Sequence, residues 1–237
     1  MSSSLHDRVL QTLGREIIDG TLPPGTVMIA EDLESRFRVS RSVIREAIRV
    51  LESIGLVASI KRVGTRVQPK SRWNALDPQL IRWRLASQEQ GAQLRSLTEL
   101  RASVEPSAAR LAATHAPEEI AVLLLELVAQ MRNAATAGDR VTFTELDIEF
   151  HRHVLRCSGN DMFASLDSAI AEVIRGRTEH GMMPKHPSQA TLARHEGVAR
   201  AIAQHQPDLA QDTMAQIMDR TTEELSSVWA DSPRTFS

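Results

Sequence analysis

Residues 37–57 read FRVSRSVIREAIRVLESIGLV. At 3.6 residues per turn, Val43, Ile44, Ala47, Ile48 and Leu51 share one face, and Arg41, Arg45 and Arg49 share another. The spacing predicts a helix over 41–55, apolar behind and basic in front. Ser40 is its expected N-cap, and Gly55 ends it in the C′ position. A helix that enters the major groove needs these two faces. A guanidinium can bond O6 and N7 of guanine together, or a phosphate. Residues near the N-terminus of such a helix reach base edges. Arg41 and Arg45 are therefore assigned to base or near-base contacts, and Arg49 to a phosphate or to pairing with Glu46 or Glu52. Ser40 and Ser42 are placed to donate to phosphates.

The flanking sequence completes the unit. Residues 5–19 carry a helical apolar stripe at Leu5, Val9, Leu10, Leu13, Ile17 and Ile18. Two glycines and two prolines in GTLPPGT (20–26) stop it. A short helix follows over 30–37. Residues 56–69, LVASIKRVGTRVQP, are rich in β-branched side chains and read as a hairpin turning near Gly64. Lys61, Arg62 and Arg66 flank Gly64, which would let the tip approach a minor groove or a phosphate backbone. Helix, short helix, longer helix and hairpin is the layout of a winged helix-turn-helix.

Charge points the same way. The chain has 237 residues and a formal net charge of −2. Between Arg36 and Arg72 stand ten basic residues against Glu46 and Glu52, a surplus of eight, so the remainder carries −10. A short basic block in an acidic chain marks a polyanion site. The competing reading is a solvated charged face, or a winged helix used for protein contacts.

Beyond a polar linker at 70–77, helical periodicity covers 78–89, 92–115, 117–137, 140–157, 161–179, 188–205 and 207–229. Aromatic content is only 3 %, and the apolar residues are mainly Ala, Leu, Ile and Val with Met, which suits helix-on-helix packing. The expected organisation is mainly α. Residues 1–69 form the DNA-binding domain, 70–77 the linker, and 78–231 an all-helical domain for a regulatory input and for dimerisation, since a reader of this size needs a homodimer to reach the two half-sites of a palindrome. One cysteine, Cys157, no apolar run near 18 residues and an N-terminus without a signal pattern suggest a cytoplasmic protein without a membrane span. Within the bundle, Asp147 and His151 stand four apart, on one helical face. That is metal-ligand spacing, and equally the spacing of an ordinary packed Asp–His pair. His153, two residues on, points elsewhere.

The quoted stretch, with PPG before the second helix and GTRV in the wing, resembles the GntR family of bacterial transcription regulators over residues 5–69. One departure stands out. The family usually opens the second helix with a Ser-Glu-Arg type sequence, and this chain has Ile29-Ala30-Glu31. TELRASVEPSAARLAA (98–113) resembles the FadR-type FCD domain, carried by Glu99, Arg101, Glu105, Pro106, Ala109, Ala112 and Ala113. The resemblance implies that this domain is an all-helical antiparallel bundle, effector-binding and dimerising, that encloses a metal and a carboxylate effector. It places Asp147, His151 and His195 as three ligands of a divalent ion, zinc or similar. The fourth ligand position falls at Ile217, which cannot coordinate; nearby Asp212 and Asp219 lie on the wrong face. Either three residues hold the ion and the effector completes its shell, or the trio bonds effector hydroxyls directly.

Arg101 offers a fork matched to the effector carboxylate, or else bridges to Glu105 four residues on. Thr191 stands one turn before His195 and could bond an effector hydroxyl. Arg175 and Arg177 both precede the MMPKHPS stretch, and spacing does not say which faces the pocket. His6, His115, His180, His186 and His205 read as surface residues. RWNALDPQLIRWRL (72–85) resembles the corresponding segment in regulators of hexonate (gluconate or galactonate) catabolism. The resulting expectation is a repressor released by a sugar acid. The alternatives are a sensor of a dicarboxylate or fatty-acyl ligand, or an activator. A metal-dependent enzyme is disfavoured, since no general base or nucleophile accompanies the trio.

Overall fold

A computed structural model describes residues 4–182 and 188–234. The described residues divide into two compact units, one running to Gln90 and the other Gly91–Ser232.

The first unit begins with α1 (Leu5–Ile18), closed by a reciprocal capping box between Ser4 and Asp7. A two-residue strand β1 (Val27–Met28) precedes α2 (Ala30–Phe37) and α3 (Arg41–Ser53). The wing follows as β2 (Val57–Ile60) and β3 (Gly64–Val67), in an antiparallel sheet of order β1-β3-β2. Leu13, Ile17, Ile44, Ala47, Leu51, Leu56 and Val67 form its core. Gly55 has φ +84° just past α3, as a C′ glycine should. The strand β1 was not expected from the sequence, because two residues have no readable period. It explains Gly64 differently: a Cβ there would stand 2.7 Å from the Met28 carbonyl oxygen. Gly64 makes room for β1, and the wing tip itself is Lys61–Val63, with Arg62 at φ 65°.

The first unit runs past the expected linker. Residues 70–72 form a 3₁₀ turn, and Trp73 Nε1 donates to the Gln68 carbonyl at 3.2 Å. Helix α4 (Pro78–Leu85) starts on Asp77, whose carboxylate accepts from Gln79 N at 2.8 Å and Leu80 N at 3.1 Å. It packs on α1. Trp83 lies over Gly14, and its Nε1 donates to Gln11 Oε1 at 2.7 Å. Residues 78–90 thus belong with the winged helix, where the sequence reading had placed them in the helical domain.

The second unit is helical throughout its described residues. Its elements are α5 (Gln90–His115), α6 (Glu118–Ala137), α7 (Arg140–Cys157), α8 (Asp161–Ala164), α9 (Asp167–Glu179), α10 (Gln189–Ala203) and α11 (Pro207–Leu225). Helix α6 packs on α7 and α10, α7 on α9, and α10 on α11. Short connections make sequential neighbours antiparallel. The single helix expected over 161–179 is two, α8 and α9, broken at Ser165–Leu166 without a Pro or Gly to announce it. By length and composition α6 is apolar enough to cross a membrane, with a mean hydropathy of 1.3 over its most apolar window, as core helices of helical bundles also are. Its Leu124, Leu127, Val128 and Met131 are buried within the bundle, while Val122 and Leu125 are exposed.

The Trp83–Gly14 contact yields a prediction. A Cβ on Gly14 would stand 2.4 Å from the Trp83 ring. Overpacking of this kind costs about 1–3 kcal/mol. Gly14→Val should lower the midpoint of chemical denaturation, and an unchanged midpoint would remove the tight docking of α4.

Candidate functional site

Arg41, Arg45 and Arg49 are exposed on one side of α3, and Ile44, Ala47, Ile48 and Leu51 are buried on the other. Ser40 occupies the N-cap position without a side-chain cap bond; its hydroxyl instead pairs with that of Ser42 at 2.9 Å. Arg49 pairs with Glu46 at 2.7 Å. Glu52 accepts from the backbone N–H of Ser59 at 2.6 Å and ties α3 to the wing. Arg45 makes no ion pair among the described residues. Lys61, Arg62 and Arg66 are exposed on the wing. Glu31, the departure at the second helix, lies 3.4 Å from Arg41. The two are exposed, so their attraction is weak in water, but the carboxylate stands beside the first arginine of the basic face.

The second candidate site is a pocket in the helical unit. Arg101, Phe143, Asp147, His151, Arg177 and Thr191 line one part of it, and Arg194, His195, Ile217, Arg220, Thr221 and Glu224 the rest. Helix α7 sends Asp147 and His151 inward from adjacent turns, and α10 sends His195 from the opposite side; all three are buried. His195 Nε2 lies 3.0 Å from Asp147 Oδ1, and His151 Nε2 3.5 Å from the same oxygen. One ligand atom from each of the three falls within 4.8 Å of the other two.

The outer nitrogens of both rings face acceptors. His195 Nδ1 donates to the Thr191 carbonyl at 2.8 Å. His151 Nδ1 stands 2.5 Å from Glu105 Oε2. With a proton on each Nδ1, both Nε2 lone pairs converge on the Asp147 carboxylate. A cation between them satisfies that arrangement, and carbonyl or carboxylate partners on Nδ1 are the usual supports of ligating histidines. The donor set fits a divalent ion with three protein ligands and room for a fourth partner. Ile217 lines the pocket and closes the position where the family resemblance puts a fourth protein ligand. Asp212 and Asp219 are exposed. Without an ion, His151 takes up a second proton. Burial opposes this, but the Glu105 carboxylate prevails and holds the ring up to about 9. Burial likewise opposes the charges of Glu105 and Asp147. Arg101 and His151 bring Glu105 down to about 2, and bonds from His151 and His195 keep Asp147 well below the usual carboxylate range.

Arg101 lines the pocket, but its fork is engaged. Nε bonds Glu105 Oε1 at 2.5 Å, Nη2 lies 3.4 Å from Oε2, and Nη2 stands 3.3 Å from His151 Nε2. The bridge weighed against a carboxylate clamp in the sequence is therefore formed. Arg177 is the one of the α9 pair that lines the pocket. Arg175 pairs with Glu145 and Glu172. Burial, and then the neighbouring Arg101 charge, bring Arg177 down to about 10.

Thr191 lines the pocket, and its hydroxyl pairs with Ser188 at 3.0 Å. His153 does not line the pocket and stands 4.0 Å from Glu149. His115, His180 and His205 are exposed, His6 is partly exposed, and His186 lies outside the described residues. Sequence reasoning missed Arg194, Arg220, Thr221 and Glu224. The last three stand three, four and seven residues after Ile217, so the helical face through Ile217 could have found them.

These two sites sit on segments that match known families. Residues 5–67 match bacterial regulatory proteins of the gntR family, and residues 96–220 match the FCD domain. The chain is 30 % identical to the galactonate operon transcriptional repressor of Escherichia coli, over 96 % of this chain and all of that protein. It is 24 % identical to the transcriptional repressor RspR of Escherichia coli, over 98 % of this chain and 94 % of the other. Among solved structures it is similar to Streptococcus agalactiae GntR, with a TM-score of 0.50 and 25 % identity over 92 % of this chain and 99 % of that one. The matched families are regulators and not enzymes. The chain belongs to the GntR family of transcription regulators, and its helical unit is an FCD domain.

Proposed function

We propose that this regulator is a homodimeric repressor of a sugar-acid catabolic operon, released from a palindromic operator when a hexonate such as galactonate or gluconate enters the FCD pocket. The observation that carries the reading is the pocket itself. Four arginines stand on its wall with two carboxylates, and hydroxyls of Thr191 and Thr221 stand among them. Cationic forks suit a carboxylate, and hydroxyls with Asp147 suit a polyhydroxylated chain. Full-length similarity to a galactonate operon repressor supports the same choice.

Asp147, His151 and His195 are the residues that would hold a divalent ion. Such an ion would supply an electrophilic centre for effector oxygens. The protein's own part is to orient the two imidazoles through Thr191 and Glu105 and to keep the cluster buried. For release, the effector must bind the DNA-incompetent arrangement more tightly than the competent one.

On the DNA side, Arg41 and Arg45 read bases, with Ser40, Ser42, Arg49 and the wing residues Lys61, Arg62 and Arg66 on the backbone. Gly64 sets the course of the wing strand.

The principal test is a gel shift on a DNA fragment selected by this protein from a random pool, titrated with D-galactonate, D-gluconate, dicarboxylates and fatty-acyl compounds. Release by a hexonate alone is expected; release only by another class would replace the effector reading. Arg45→Ala should weaken binding to the selected fragment by about 1–3 kcal/mol, as for a lost bidentate base contact. Undiminished affinity would remove the recognition-helix assignment. For the metal, competition with a chromophoric chelator should find about one zinc per chain, by the usual stoichiometry of one ion per three-residue site. His195→Ala should lose it, and equal zinc retention in that variant would dismiss the three-residue site.

A further inference from the structure

Arg177 is a buried cation with a thin set of partners. It is 5 % exposed, and its Nε has none. Among the described residues its one ion pair runs from Nη2 to Glu224 Oε2 at 3.3 Å, long against the roughly 2.7–2.9 Å of a good charge-assisted bond. Arg101 is as deeply buried, but Glu105 fills its fork. A guanidinium with an open Nε beside a polar pocket keeps part of the edge that takes a carboxylate. Burial and then Arg101 act against the Arg177 charge and outweigh the support it has from Asp147 and Glu224, so a further anion beside it would be favourable.

Glu224 shares this corner and is not confined to it. Arg220 Nε donates to its other oxygen at 2.9 Å, and Glu224 is partly exposed. If Glu224 left Arg177 it would remain paired, and no buried carboxylate would be stranded. Space matters too. The cavity is about 50 Å³, room for a few water molecules and too small for a six-carbon acid. Something on its wall must move, and Glu224 is a partly exposed carboxylate there, held to the buried Arg177 by a single long bond and to Arg220 by a shorter one.

We infer that Arg177, and not Arg101, is the residue that clamps the effector carboxylate, and that Glu224 occupies the place of that carboxylate until the effector displaces it. Arg101 then serves to hold Glu105 and His151. This rests on the reading of the pocket as a site for a carboxylate effector. The exchange is one of ion pairs only: Arg177 passes from Glu224 to the ligand, and Glu224 keeps Arg220.

The test compares Arg177→Met, Arg101→Met and Glu224→Gln with the wild-type full chain. The first measurement needs no effector. With EDTA present, Arg101→Met should lower the melting temperature by several degrees, because Glu105 loses its main counter-ion inside the protein. Arg177→Met should leave it unchanged or raise it, as removal of an under-paired buried charge does. A loss in Arg177→Met as large as in Arg101→Met would make Arg177 a structural residue and overturn the assignment.

The second measurement is calorimetric titration with D-galactonate and D-gluconate, with galactitol as the uncharged control. Arg177→Met should weaken hexonate binding at least tenfold. Glu224→Gln, a near-isosteric change at a partly exposed position, should strengthen it severalfold by removing the competing charge. Equal or weaker binding in Glu224→Gln would overturn the displacement. Should neither hexonate bind wild type while Arg177→Met is as stable as wild type, the hexonate reading fails and the open-cation assignment of Arg177 stands.

Discussion

An arginine and a glutamate one helical turn apart, both almost wholly removed from water, set the terms for the helical unit. Arg101 and Glu105 are 2 % and 1 % exposed. Taking such ions out of water costs several kcal/mol each unless every polar edge finds a partner. Glu105 therefore serves two cations, Arg101 on its own helix and His151 on α7. His151 turns its other nitrogen to Asp147, and Asp147 reaches His195 on α10. The chain of contacts locks the relative positions of α5, α7 and α10, because a slip of one residue would break at least one link. The same requirement that makes the core polar at its centre makes it a pocket for a polar ligand.

Much of this could be read from the sequence, for identifiable reasons. The helices have apolar stripes, and their ends fall at Gly, Pro or capping residues, so most helix positions followed from period and punctuation. Asp147 with His151, and Arg101 with Glu105, are pairs at helical spacing and were visible as pairs. His195 became part of the group only through resemblance to the FCD domain, since spacing alone does not join α7 to α10. The choice between Arg175 and Arg177 was hidden, because it depends on which side of α9 meets the other helices. The break between α8 and α9 left no residue signal. Strand β1 was too short to show a period, and Gly64 was consequently matched to DNA approach when its missing side chain faces the Met28 carbonyl.

In the DNA-reading unit, charges are graded by how firmly they are held. Arg49 is paired with Glu46, Arg41 has Glu31 nearby, and Arg45, at the middle of the basic face, has no ion-pair partner among the described residues. Glu46 and Glu52 sit in a strongly basic block, but neither opposes Arg45. One neutralises the neighbouring arginine, and the other holds the wing backbone. The acidic residues thus shape where the positive field is greatest and leave its centre uncovered.

The docking of Trp83 on Gly14 also bears on how this protein could be recombined with its relatives. The eight residues after the wing have the composition of a tether and the next helix reads as part of the bundle, yet that helix carries an indole that fills a notch in α1 and bonds Gln11. A chimera spliced directly after the wing would give the winged helix a foreign plug for that notch. One spliced after residue 90 would carry its own. Exchange of sensing halves between such regulators is then constrained less by the helical bundle that is imported than by the linker and the helix after it, which read as spacer and bundle and belong to the reader.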